Sequence, residues 1–195
     1  LSEPISPRCR PLRRLTAAFV LALVPSWALA ADLVLPWPEQ AATAGPAGER
    51  VTFDSASPFA FSDAGNGPES APPTEAMATL FLPPGASAAA PVPAVVLLHG
   101  AAGVQSVREL TYARHFAAQG TVALVIDVFA ARRDHASGFI NRLLEITEAM
   151  FLADAYAALD YLAARPEIDA GRVALVGFSY GGMVATYAAY AQVAE

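Results

Sequence analysis

The apolar residues of the second half of the chain fall into two kinds of pattern. Ala94-Val95-Val96-Leu97-Leu98 and the stretch from Thr121 to Ile126 are continuously apolar, as expected of strands covered on both faces of a sheet. Val107 to Gln119 instead carries apolar residues at helical spacing and stops at Gly120, a natural end for a helix. Arg142 to Ala164 repeats the helical pattern at greater length and ends at Arg165-Pro166. Arg172 to Val176 is a short run rich in valine, and Met183 to Val193 is alanine-rich and of helix length. The order is strand, helix, strand, helix, strand, helix, with each crossover long enough to return to a parallel neighbour. This predicts an α/β fold, a doubly wound and mostly parallel sheet with helices on both faces.

Upstream, the signal weakens. From Asp32 to about Pro73 the chain is rich in Pro, Gly, Ala and Ser, and one alternating segment predicts a short first strand near Val51 to Phe53. Glu75 to Leu82 alternates better and stops at Pro83-Pro84-Gly85, which predicts a strand and a turn. The expected organisation is a leader at residues 1–30, an irregular segment at 31–73 with its short strand, and the N-terminal portion of an α/β domain at 74–195. No internal repeat occurs.

The leader is predicted from Arg8, Arg10, Arg13 and Arg14, the apolar run Leu15 to Val24, and Ala28-Leu29-Ala30. Basic, apolar and small-x-small segments in that order make a secretory signal peptide, cleaved after Ala30. The expectation is a secreted or periplasmic protein with no stable membrane span once the leader is gone, because the apolar run is too short. All 12 basic residues are arginine. Cys9 and four arginines leave with the leader, so the mature chain holds 8 basic and 17 acidic residues and no cysteine. That excludes thiol catalysis, disulfides and cysteine-ligated metals, and a net charge of −9 argues against nucleic acid as a partner.

The chemistry concentrates at Val173 to Met183, read as a buried strand, a glycine-bracketed serine and the first turn of a helix. A strand that turns directly into a helix holds the intervening residue in strained geometry, which neighbours lacking a Cβ permit. Gly177 and Gly181 lie two residues either side of Ser179. The hydroxyl is then presented at the strand end, beside the unpaired amides of a helix N-terminus, where an oxyanion is stabilised. Ser179 is the candidate nucleophile, and the Tyr180 N–H the expected donor. Ligands of such sheets bind at the carboxyl ends of the strands. Three polar-rich loops meet there: His99 to Gly103, Asp127 to His135, and Gly177 to Gly181.

From about Glu75 to Glu195 the chain resembles the α/β-hydrolases, and within them the dienelactone hydrolase-like branch. The resemblance rests on His99-Gly100, on Asp127-Val128-Phe129 with Arg132, on Asp160-Tyr161-Leu162, and most specifically on Gly177-Phe178-Ser179-Tyr180-Gly181-Gly182. It implies Ser179 as nucleophile and an oxyanion hole from the backbone N–H groups of Tyr180 and Ala101, with Gly100 letting the loop approach the substrate. The dienelactone hydrolases proper resemble this chain in fold but use a cysteine nucleophile, and they carry an acidic residue where Gly100 stands. The serine therefore points to an esterase-like relative. The family order also puts the catalytic acid and histidine after the nucleophile. Residues 180–195 contain no Asp and no His, so both partners are expected beyond Glu195, and the segment alone should be nearly inactive.

Other polar residues divide between roles. His99 either shapes the oxyanion loop by hydrogen bonding, the favoured reading, or serves as a base. His115 reads as a mid-helix surface or packing residue, and His135 as part of a solvated loop. Asp127 is expected to cap or brace the loop that follows it. Arg132 and Arg133 either attract a carboxylate-bearing substrate or are exposed surface arginines. Asp154 and Asp160 are expected to face water. No metal-ligand spacing or phosphate-cradling loop is present, so neither metal nor cofactor is expected, and nothing speaks to oligomeric state.

The leading expectation is a serine hydrolase of small carboxylic esters or lactones. A prolyl-oligopeptidase-type peptidase, whose elbows are similar, ranks behind it because few residues precede Glu75. The third alternative is a catalytically inactive hydrolase-fold module that binds a small molecule or partner.

Overall fold

The structure is a computed structural model that describes residues 45–64 and 66–190. The predicted leader, its cleavage site and the start of the irregular segment lie outside the described residues. Among those described, the elements in chain order are β1 (Glu49–Ala56), β2 (Pro73–Phe81), β3 (Val92–Leu98), α1 (Glu109–Ala118), β4 (Val122–Ile126), α2 (Val128–Ala131), α3 (Phe139–Glu145), α4 (Glu148–Ala163), β5 (Ile168–Gly177) and α5 (Tyr180–Tyr187).

The strands form one sheet in the order β1-β2-β4-β3-β5. β3 pairs parallel with β4 and with β5, while β2 pairs antiparallel with β1 and β4. Only β2 therefore runs against the others, and the carboxyl ends of β1, β3, β4 and β5 share one edge of the sheet. The sheet is mixed and mostly parallel, and it carries helices on both faces.

Alternation along the central strands sorts side chains into two cores. Val122, Leu124 and Ile126 of β4 join Val96 and Leu98 of β3 against Phe151, Ala155 and Leu162 of α4. Ala123 and Val125 join Val95 and Leu97 against Ala113 and Ala117 of α1. This explains the unbroken apolar runs, since Ala94 to Leu98 and Val122 to Ile126 are all buried. β5 differs, pairing with β3 alone among the described strands, and much of it is exposed. Beside it, Tyr156, Leu159, Val173, Leu175, Ala185 and Ala188 line an apolar groove of about 350 Å³.

Three expectations need correction. β1 is longer than Val51 to Phe53, because Glu49 to Ala56 pairs residue for residue with Leu80 to Pro73. The single helix expected from Arg142 to Ala164 is two. Ile146 is extended and Thr147 caps α4, its hydroxyl accepting from the Met150 N–H at 3.5 Å. The helix expected from Met183 to Val193 begins earlier, at Tyr180, and ends at Tyr187.

Asp154 is also corrected. It does not face water but lies fully buried in a bidentate pair with Arg132, at 2.7 Å (Nη1 to Oδ2) and 2.9 Å (Nη2 to Oδ1). The Ser55 hydroxyl donates to the same carboxylate at 2.6 Å. Removing one member of such a pair strands a buried charge, which costs about 3 to 5 kcal/mol. Asp154→Ala should lower unfolding free energy by about that amount in denaturant titrations. Asp160→Ala, on the exposed face of the same helix, should change it by less than about 0.5 kcal/mol; equal losses would show the pair contributes nothing particular.

Candidate active site

β5 ends at Gly177 and α5 begins at Tyr180, leaving Phe178 and Ser179 to make the whole turn. Ser179 has φ 51° and ψ −110°, and it is the one non-glycine residue with positive φ among those described. Backbone of this kind costs on the order of 1–3 kcal/mol, so the surroundings must enforce it. They do so by close packing. A Cβ on Gly177 would lie 2.0 Å from the Gly181 carbonyl oxygen, and one on Gly181 would lie 2.5 Å from the Leu98 carbonyl oxygen. Hydrogen bonds fix the same contact, from the Phe178 N–H to Leu98 O and from the Gly181 N–H to His99 O, each at 3.0 Å. The serine is left exposed at the carboxyl edge of the sheet.

The loop after β3 lies directly against this turn. A Cβ on Gly100 would sit 3.3 Å from the Phe178 carbonyl oxygen and 3.5 Å from the Ser179 Cβ. Gly103 closes a turn on Gly100 (N–H to O, 2.9 Å), with Ala101 at its second position. The Ala101 N–H is not used by that turn, and the Tyr180 N–H, at the first position of α5, has no intrahelical acceptor. The loop after β3 and the start of α5 thus each bring a backbone N–H that the adjoining turn or helix leaves unused.

His99 is fully buried between Phe129 and Phe151, with ring centroids 4.8 and 4.9 Å away. Its Nδ1–H donates to Gly100 O at 2.7 Å, which leaves Nε2 with a lone pair. Nε2 has no hydrogen-bond partner and lies 3.8 Å from Asp127 Oδ1. The His99 Nδ1 is occupied by the loop's own Gly100 carbonyl and its Nε2 faces Asp127, so the ring is tied to the loop it begins. Asp127 caps α2, its Oδ1 accepting from the Ala130 N–H at 3.0 Å. Under the turn, Tyr180 is buried against Phe129 and Phe151, and its hydroxyl donates to Ile146 O at 2.7 Å. Burial, reinforced by the Glu148 charge, pushes that phenol's pKa well up and keeps it a donor.

Arg132 is not where a substrate could reach it. It is buried, and beyond Asp154 its guanidinium donates to Ser57 Oγ at 2.9 Å and Ala56 O at 2.8 Å. The expected substrate contact is therefore a tie between α2, α4 and the end of β1. Arg133 is exposed beside Asp127 in a cleft of about 500 Å³ that also includes Arg50 and Met77. His115 and His135 are exposed, as their positions implied. No carboxylate or imidazole hydrogen-bonds the Ser179 hydroxyl among the described residues, and none of those residues form a cluster able to hold a metal ion.

The model of the dienelactone hydrolase family matches residues 77–195, more than half of the chain. The chain belongs to the dienelactone hydrolase family. A search of the curated proteins finds no match. Among solved structures, a dienelactone hydrolase-like promiscuous phosphotriesterase from metagenomic libraries is 26% identical, with a TM-score of 0.51 over 72% of this chain and 53% of its own. A hypothetical protein from Pseudomonas aeruginosa is 20% identical, with a TM-score of 0.52 over 74% of this chain and 39% of its own, and it supports the fold alone. The chain thus spans about half the length, or less, of these solved structures.

One part of this family member's site had no sequence signal. Arg108 Nη2 lies 3.3 Å from the position of a Cβ on Gly100, and the guanidinium stacks on Phe178 with its carbon 5.2 Å from the ring centroid. Its Nε donates to the fully buried Glu109 at 2.8 Å, and Glu109 also accepts from the Gln105 N–H at 2.8 Å. An adjacent Arg-Glu pair opening a helix reads as solvated, yet here it braces the loop after β3 and the turn after β5.

Burial lowers the pKa of His99 below its ordinary 6.5, and the Gly100 carbonyl and the Asp127 charge only partly oppose this. Protonation therefore favours the unfolded chain. The stability that neutral His99 allows is complete above about pH 6.5 and is lost as pH falls below it. His99→Gln should flatten the decline of the unfolding midpoint between about pH 7.5 and 5.5; an unchanged slope would rule out His99 as the group responsible.

Proposed function

We propose that the protein is a serine hydrolase of carboxylic esters or lactones that acts through an acyl-enzyme on Ser179. The observation that carries this reading is Ser179 itself, exposed at the strand-to-helix turn in strained, positive-φ backbone. Ser179 Oγ adds to the ester carbonyl, the Ala101 and Tyr180 N–H groups take the oxyanion, and the alkoxide leaves with the serine's proton. Water then adds to the acyl carbon and releases the acid and the free serine. In a lactone the leaving oxygen stays tethered, so one product carries both groups.

The hydroxyl needs a base, and in this reading the catalytic acid and histidine follow Glu195. The match to about half the length of the phosphotriesterase relative, and the place of β5 at the end of the described sheet beside Ser179, both support that placement. A positioned base contributes about 10²- to 10⁴-fold. A form extended past Glu195 should therefore react with a fluorophosphonate probe at least about 100-fold faster than the 195-residue chain, with Ser179→Ala abolishing both reactions. Equal rates would place the base within these 195 residues, and no labelling of either form would sink the acyl-enzyme mechanism.

The basic, apolar and small-residue order of the first thirty residues supports export to the periplasm or beyond. N-terminal sequencing of the exported protein should begin at Ala31; protein retained in the cytoplasm with an intact leader would refute it.

A further inference from the structure

The loop after β3 is tied back to the start of α1 by one buried carboxylate. Glu109, fully buried at the first position of α1, accepts from the Gln105 N–H and from Arg108 Nε, each at 2.8 Å. The Gln105 side-chain amide in turn donates to Ala102 O at 3.2 Å, and Gly103 closes on Gly100. The loop is thereby fastened to itself and to the helix that follows it.

Arg108 carries that anchorage across to the turn that holds Ser179. Its guanidinium carbon lies 5.2 Å from the centre of the Phe178 ring, and Tyr112, one turn further along α1, packs on the same ring at 5.3 Å between centroids. Arg108 Nη2 and Ser179 Cβ both lie within 3.5 Å of the point where a Cβ on Gly100 would stand. Nη2 is 2.8 Å from Glu109 Oε1 but is not aligned to donate to it, and among the described residues this buried nitrogen has no hydrogen-bond partner. Pairing with Glu109 therefore fixes one edge of the guanidinium, while its face lies on Phe178 and its Nη2 end beside Gly100.

We infer that Arg108 is a positioning residue for Ser179, a clamp that holds the loop after β3 against the turn after β5, with Glu109 as its buried anchor. Its part in catalysis rests on the serine-hydrolase reading, whereas the clamp itself does not. Surface loops are the segments that open most readily. Acyl transfer needs the attacking oxygen and the groups around it held in register, and a misplacement of about 1 Å can cost about 100-fold in rate. A guanidinium suits the task better than an ammonium, because it is planar and can pair through one edge while stacking through its face. Glycine at position 100 suits it too, since a Cβ there would press on both Nη2 and the Phe178 carbonyl oxygen, at 3.3 Å from each.

The maximal rate at which a fluorophosphonate labels Ser179, measured on the full-length protein, tests the role. Arg108→Ala should lower that rate about 10- to 100-fold and leave the half-saturating probe concentration little changed. Phe178→Leu, which removes the ring without leaving Glu109 unpaired, should do the same. The double variant should lose no more than either single one, because both remove one shared contact. Arg114→Ala, which removes a different arginine–ring contact of α1, over Phe81, should label at the parental rate. A parental rate in Arg108→Ala, an equal loss in Arg114→Ala, or losses that multiply in the double variant overturns the proposal. If the parent is not labelled at all, the hydrolase reading fails and amide exchange decides the clamp alone. In Arg108→Ala the Gly103 and Phe178 N–H groups should then exchange severalfold faster while Val125 in β4 keeps its rate; unchanged exchange at those two amides overturns it.

Discussion

The contact on which the site depends is between backbones, where the first turn of α5 rests on the end of β3 with no side chain between them. Gly181 lies so close to the Leu98 carbonyl, and Gly177 to the Gly181 carbonyl, that a single Cβ at either would collide with main chain. Main chain cannot rotate away as a side chain can, so the spacing between strand and helix is fixed. Ser179 then has one backbone conformation that joins them, and that conformation exposes its hydroxyl. The strain at one residue is set against the packing of two strands and a helix, which makes it sustainable.

Around this contact the chain spends its buried charges on geometry. Arg132 and Asp154 join α2, α4 and the chain leaving β1, three segments that meet at the carboxyl edge of the sheet. Glu109 and Arg108 do the same on the other side of the loop after β3. A buried ion pair adds little net stability over an apolar one, but it is far more particular about position. Arg132 reaches the end of β1 at Ala56 and Ser57, and Arg108 lies against Gly100 and Phe178 of the loops after β3 and β5. That placement suits groups whose benefit is alignment.

The central strands and the elbow could be read from the sequence because each is dictated locally. An unbroken apolar run needs burial on both faces, and Gly177 and Gly181 around a serine need a tight turn. Asp154 could not be read in this way. On an amphipathic pattern a carboxylate belongs to the wet face, and its partner Arg132 stands 22 residues earlier with no periodic relation to it. Thr147 was hidden for a similar reason, since a helical pattern on both sides of a cap resembles one long helix. The loop after β1 was opaque because its proline and glycine content describes only what it avoids. Its contribution, the Ser57 hydroxyl that Arg132 reaches, follows from the direction of β1, which no local pattern contains.

The sheet order also bears on how the nucleophile comes to be formed. β3 and β4 are neighbours in sequence and in the sheet, whereas β5 must return to β3 from some eighty residues away, with Leu98 paired to Gly177. Contacts between distant residues form late because closing the chain costs entropy first. During synthesis, too, β3 and β4 leave the ribosome before β5 does. The serine's conformation therefore depends on a pairing that closes a long stretch of chain, and Leu98, remote from any chemistry, is part of the mould.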